Sequence, residues 1–169
     1  VVARGRRRVG DTVTRPKAYI ELGQGGADTI GNTYWKGMWG RLLEFAGAEN
    51  IAAGRLPGAG AWGPLNPEYV IAANPDAILI VASGSGAAMP HKGLVERGYA
   101  KAKLYQTHGA ATMDLIRVGG ADVEGSFVSS GPAVVAEKLP AANASKALGM
   151  KYKEEFEKAY GKGSANQFG

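Results

Sequence analysis

Lys17 to Leu22 (KAYIEL) is a short β-prone run that stops at Gly23-Gln24-Gly25-Gly26, a strand running into a loop. Downstream, Trp35, Met38, Trp39, Leu42, Leu43 and Ala46 recur at three- and four-residue steps, which predicts a helix with one apolar face. Asn32 or Thr33 is the expected N-cap and Gly47 the expected stop. Ile51 to Ala53 is a candidate second strand, opening into the glycine-rich stretch GRLPGAGAWGPL. Asn66-Pro67-Glu68 reads as a helix start: Asn caps, Pro suits the first helical position, and Glu favours the positive end of the dipole. Asn74-Pro75 ends that helix. Asp76 to Ser83 (DAILIVAS) is a continuous apolar run, the pattern of a strand covered on both faces, and it ends in a second glycine loop, Gly84-Ser85-Gly86.

The order strand, helix, strand, helix, strand predicts an α/β fold: a Rossmann-like three-layer lobe with a central, mostly parallel sheet flanked by helices. Beyond Met89 the pattern is weaker. Lys92 to Lys103 is a candidate helix, and Tyr105 to Val118 fits either type of element. Ser130 to Leu148 reads as helical but contains Pro140, which should kink or split it. Lys151 to Tyr160 is expected as a charged amphipathic helix, followed by a frayed tail.

A chain of 169 residues forms one domain and buries roughly 70% of its unfolded surface. The absence of cysteine excludes disulfides, thiolate metal sites, iron–sulfur clusters and a cysteine nucleophile. No apolar run reaches the length of a membrane span, and VVARGRRRVG lacks the apolar stretch of a secretory signal. The net charge of +5 changes the picture only through its location. Residues 1 to 17 carry six basic side chains against Asp11, whereas the rest of the chain holds 14 of each sign and is neutral. Without interleaved aromatics or a basic folded surface, this arm does not read as a nucleic-acid site. An exposed helix end leading from another domain fits the abrupt start better.

Candidate chemistry is sparse. Gly23-x-Gly25 and Gly84-x-Gly86 each resemble half of a dinucleotide fingerprint, but Asp28 and Met89 stand where the third glycine belongs. Tight turns leaving a sheet are the favoured reading, and a nucleotide-binding enzyme domain is the alternative. Ser85 lacks the flanking glycines of a nucleophile elbow. His91 and His108 have no i, i+4 partner or acidic cluster to make a metal site, and His91 reads as a surface loop residue. Trp62, within the glycine-rich stretch, has two open readings: a cover for an edge of the domain, or the lining of an apolar ligand site.

Three segments, RPKAYIELGQGG, YWKGMWGRLLEFAGAENIAAG and LNPEYVIAANPDAILIVAS, together resemble the C-terminal lobe of the two-lobed solute-binding proteins that serve ABC importers of ferric siderophores, haem and cobalamin. The likeness covers about residues 15 to 84. It implies a non-enzymatic, periplasmic or extracytoplasmic protein whose two α/β lobes, joined by a rigid helix, hold the ligand in the cleft between them. Residues 1–14 would be the end of that helix, residues 15–160 the lobe and residues 161–169 a flexible tail, with the N-terminal lobe elsewhere. The cleft-facing positions fall on Gln24, Tyr34, Trp62, Ser83 and Ser85. Glu68 falls on the carboxylate that docks onto arginines of the membrane permease. No intrinsic cofactor or metal site is implied. The ligand is expected to be a ferric chelate, haem or cobalamin, because the candidate contacts lack the hard oxygen cluster that bare ferric iron requires. The family's tryptophan-containing helix and following strand have no counterpart in residues 103 to 127.

Overall fold

The computed structural model describes residues 14–23, 30–56, 58, 60–100 and 103–166. The basic arm, apart from its last residues, and Gln24 lie outside them. A five-stranded parallel sheet forms the centre. Its strands are β1 (Lys17–Leu22), β3 (Glu49–Asn50), β5 (Ala77–Val81), β6 (Leu104–Gln106) and β7 (Phe127–Val128), in the order β3-β1-β5-β6-β7. A two-stranded antiparallel ribbon, β2 (Asn32–Tyr34) with β4 (Trp62–Pro64), sits beside it.

Helices cover both faces. On one face α1 (Gly37–Phe45) sends Leu43 against Ala18 and Ile20 of β1. On the other, Val70 of α2 (Pro67–Ala73) and Leu94 of α3 (Ser85–Glu96) close over Tyr19, Ile78, Ile80 and Leu104. Leu115 of α4 (Met113–Gly119) packs on Ala87 and Ala88 of α3. The chain ends in α5 (Ala144–Tyr160), which packs on a 3-10 segment at Pro132–Lys138. The three-layer α/β architecture expected from the pattern is therefore present, and β5 is sandwiched as its unbroken apolar run predicts.

Local signals hold where the chain stands alone. Asn66 Oδ1 accepts from Glu68 N at 2.7 Å, Pro67 opens α2, and Asn74 ends it at φ 41°. Gly47, at φ 85°, stops α1 in a Schellman turn: Ala48 N donates to Leu43 O and Gly47 N to Glu44 O, both at 2.9 Å.

Several expectations need correction. Asn32 and Thr33 do not cap α1; they form β2, and the helix starts at Gly37, whose φ of 72° breaks the chain away from the ribbon. The apolar face predicted for α1 is half covered: Leu43 is buried, Trp39 packs beside it and Trp35, ahead of the helix, packs on the opposite core, whereas Leu42, Ala46 and Met38, at 74%, are exposed. The strand expected at Ile51 to Ala53 is instead β3, Glu49–Asn50, and Ile51 to Ala53 turn away from it, because Asn50 Oδ1 accepts from Ala52 N at 3.0 Å. The third helix begins at Ser85, inside the glycine loop, and ends at Glu96. Pro140 does split the following stretch, but what precedes it is 3-10, and the last helix begins at Ala144 under an Asn143 cap. After Gly161 the chain turns back, leaving Ser164 to Asn166 half-buried, with Tyr152 Oη donating to Asn166 O at 3.1 Å.

Candidate functional site

The strand order defines where a ligand belongs. From β1 the chain crosses to β3 on one side and then returns past β1 to β5 on the other, so the order reverses between β1 and β5. α1, reached from β1 through β2, and α3, which follows β5, lie on opposite faces, the arrangement that in open α/β sheets places ligands at the carboxyl ends of these strands. The described residues of the two glycine loops singled out in the sequence fall at this switch point: Gly23 follows β1, and Ser83 to Ser85 follow β5.

The glycines let backbones meet. Gly23 N donates to Val81 O at 3.1 Å, and a side chain at Gly23 would strike the Gly86 carbonyl. That carbonyl is the one whose helical donor Pro90 removes. Gly84 takes φ 54°, ψ −137°, a conformation essentially reserved for glycine, and starts α3 without a side-chain cap. Close packing at Gly23 and backbone conformation at Gly84 account for these glycines without a dinucleotide.

Of the predicted contacts, Ser83 and Ser85 are exposed on either side of Gly84. Tyr34 and Trp62 are directly opposite in the β2–β4 register, so both side chains project from one face of the ribbon. Trp62 is 53% exposed and Tyr34 half-buried, its ring 6.4 Å from that of Trp39. Asn50 Nδ2 donates to Tyr34 O at 3.3 Å, which ties the ribbon to the carboxyl end of β3. The two aromatics and the two serines thus share the carboxyl edge of the sheet. Glu68 is exposed in the first turn of α2.

Sequence reading missed the group that anchors this edge. Glu21, wholly buried near the end of β1, accepts from Gly31 N at 2.9 and 3.1 Å, from Asn32 N at 3.2 Å and from Tyr19 Oη at 3.0 Å. It pins the start of β2 to β1 and so sets where Tyr34 emerges. Burial pushes its carboxyl up to about 7, against the opposing pull of the Gly31 N–H, the Tyr19 hydroxyl and the Asn32 N–H. The only available signal was a Glu inside a strand that must be covered on both faces.

His91 is also corrected. It lies in α3, completely buried, with Nε2 3.0 Å from Asp122 O and Nδ1 3.1 Å from Gln106 Nε2. A carbonyl on one side and an amide donor on the other fit the neutral Nε2–H tautomer, and the ring bolts α3 to β6 and to the turn after α4. Among the described residues no group of three or more His, Cys, Asp or Glu is placed to hold a metal ion.

No family model matches the chain, and no curated protein does. Solved structures do match. The chain superposes on an extracellular ligand-binding receptor from Rhodopseudomonas palustris HaA2 with a TM-score of 0.64 at 33% identity, over 90% of this chain and 42% of that one. The chain has the fold of a periplasmic-binding-protein lobe. Another extracellular ligand-binding receptor from Rhodopseudomonas palustris gives 0.61 at 32% identity, over 91% of this chain and 41% of that one. A TroA-like periplasmic binding protein, FepB from Veillonella parvula, aligns at 31% identity over 48% of this chain and 21% of that one, but its TM-score of 0.39 carries no argument. The chain spans about two fifths of the length of the receptors it matches. Among the described residues no helix is long and apolar enough to cross a membrane.

Proposed function

We propose that this chain is the C-terminal lobe of the substrate-binding component of an ABC importer, working outside the cytoplasmic membrane without catalysis. The observation that carries the reading is the superposition of nine tenths of the chain on less than half of an extracellular ligand-binding receptor. The switch-point crevice supports it, because a solute-binding lobe presents the carboxyl edge of its sheet to the ligand.

In this reading the solute is an iron(III) chelate of siderophore type, haem or cobalamin. It rests on the edge formed by Tyr34, Trp62, Ser83 and Ser85, with Gln24 and the second lobe completing the cleft. The paired aromatics suit a large, partly apolar ligand, and the serine hydroxyls suit its polar rim. Glu68, exposed at a helix start, docks onto arginines of the permease through charge-assisted hydrogen bonds.

The test is titration of the two-lobed protein containing this chain with ferric siderophores, haem and cobalamin. Saturable binding of one of them is expected, weakened by Trp62→Ala; binding of none overturns the ligand class. Glu68→Ala should leave ligand affinity intact and reduce uptake in cells. Uptake equal to that of the wild type removes the docking role.

A further inference from the structure

The parallel sheet is covered on both faces over only part of its width. One cross-strand row shows where the cover stops: Ile20 of β1 sits beside Leu79 of β5, Leu79 beside Tyr105 of β6, and Tyr105 beside Phe127 of β7. All four side chains point to the face that carries α1, since Leu79 packs there with Ile20 and Leu43. Ile20 is wholly buried, Leu79 half-buried, and Tyr105 and Phe127 are exposed, their rings stacked with centroids 5.2 Å apart. α3 lies on the other face with α4 packed on it, and α5 packs on the 3-10 segment, so among the described residues no helix covers this pair. Parallel strands are ordinarily buried on both faces, and this half of the sheet lacks a layer.

The missing layer has a counterpart on the same face. Met38, Leu42 and Phe45, spaced four and three residues apart, form an exposed apolar seam along α1, the spacing of a helix that packs against another helix. A right-handed crossover from β1 to β3, the rule for parallel strands, turns the flank of α1 that carries Leu42 and the exposed Ala46 towards β5 and β6. The seam therefore borders the bare strip. From β5 to β7 that strip is two strand spacings wide, about 10 Å, which is the width of one helix. Met38, Leu42, Phe45, Tyr105 and Phe127, each between 40% and 74% exposed, leave roughly 500 Å² of apolar side chain on this face. One side of a standard protein interface buries about 800 Å², roughly three fifths of it apolar, so the face carries what one partner contributes.

We propose that this face pairs with a second copy of the chain. In an isologous pair each α1 lies in the empty helix position of the other copy, so its seam meets both the other α1 and the other Tyr105–Phe127 stack. Ridge and gap lie side by side on one surface, which is the condition for self-complementarity; a different protein would have to supply both a gap for α1 and a ridge for the strip. The two-fold axis runs between the two helices and along the strands, so the carboxyl edges with Tyr34, Trp62, Ser83 and Ser85 stay open. The pairing does not depend on what those edges bind.

Sedimentation velocity of the whole chain over a range of concentrations tests it. A reversible monomer–dimer equilibrium is expected, with a Kd of about 10 μM or below. Phe127→Glu on the strip and Leu42→Glu on the seam should each raise that Kd by about tenfold or more, because the symmetry places every substituted side chain in the interface twice. Ile116→Glu, an exposed apolar position on α4, should leave it unchanged. The chain has no cysteine, so single cysteines read the geometry. Leu42→Cys, near the two-fold axis, should be joined to its own copy by a short bismaleimide, whereas Ile116→Cys should not. Circular dichroism confirms that each variant is folded, and if a Glu variant is not, the cysteine pair decides. Monomer at every concentration, a Kd that neither Phe127→Glu nor Leu42→Glu raises, or equal cross-linking of the two cysteines overturns the proposal. In the first case the face belongs to a different occupant, residues 1–13 of the same chain or another protein.

Discussion

Glu21 offers the sharpest test of how the site edge is held. Replacing it with Gln keeps its shape and an Oε1 acceptor for Gly31 N and Asn32 N; the new amide donates to the Tyr19 hydroxyl oxygen and gives up the second, 2.9 Å contact with Gly31 N, a cost that does not vary with pH. The folded protein holds the Glu21 proton up to about pH 7, whereas an unperturbed Glu releases it near 4.5. Between those values the unfolded chain has already given up a proton that the folded one retains. The contribution of Glu21 is therefore fully present below pH 4.5 and is lost as pH rises through 7, by about 3 kcal/mol in total. Urea unfolding followed by tryptophan fluorescence, at intervals from pH 4.5 to 8, measures it as the difference between wild type and Glu21→Gln. The variant should gain on the wild type by about 3 kcal/mol across that window. Two stability curves that stay parallel, within about 0.5 kcal/mol, would refute the argument that burial outweighs the backbone donors. Glu21→Ala adds a second readout. It strands the buried Gly31 N–H and the half-buried Asn32 N–H and opens a cavity, and should cost about 3 kcal/mol or more at pH 5.

Other outcomes follow from single contacts. Asn66→Ala removes the α2 cap and should lower stability by about 1 kcal/mol, whereas Glu68→Ala, exposed beside it, should change stability by less than about 0.5 kcal/mol in chemical denaturation. Gly84→Ala forces a side chain into φ 54°, ψ −137° and should cost about 1–3 kcal/mol, seen as a lower urea midpoint with an unchanged m-value. His91→Leu leaves Gln106 Nε2 and Asp122 O without their ring partner and should cost about 2–3 kcal/mol, with faster amide exchange along α3.

What could be read in the chain, and what could not, follows the range of the interactions. KAYIEL, the Asn66-Pro67 start, the Gly47 stop and the apolar run at 77–81 carry their determinants within a few residues, and all are present. β2 does not: its partner, β4, lies about 30 residues away, and without it NTY reads as the lead-in to a helix. The apolar stripe of α1 places Trp39 and Leu43 on the core but leaves Met38 and Leu42 outside, because periodicity shows that a stripe exists without showing how wide a surface it meets. His91 is buried by partners 15 and 31 positions away, and MPHKG contains no hint of either. At the site, the glycine loops and the serines were legible as loops after strands. The pairing of Tyr34 with Trp62 and the Glu21 anchor were not, since both depend on chain that returns from a distance.

The same contacts, on the proposed reading, leave few side chains to choose a ligand. At the switch point the floor is backbone against backbone. Gly23 abuts the Gly86 carbonyl, a side chain at Gly109 would lie 2.6 Å from Ala82 O, and Gly84 N donates to Gly109 O at 3.2 Å. Any Cβ at Gly23 or Gly109 would push β1 or the 3-10 turn at His108–Ala110 away from β5. Glycine there is a packing requirement that also strips the crevice floor of functional groups. On the proposed reading, selectivity is left to residues at its rim, the Tyr34–Trp62 pair on one side and Ser83 and Ser85 on the other. Trp62, with more than half its surface exposed, contributes little to the core and has the most surface to bury against a solute. A rigid floor with a sparse rim makes affinity depend on what closes over it, which is what the proposed two-lobed cleft requires.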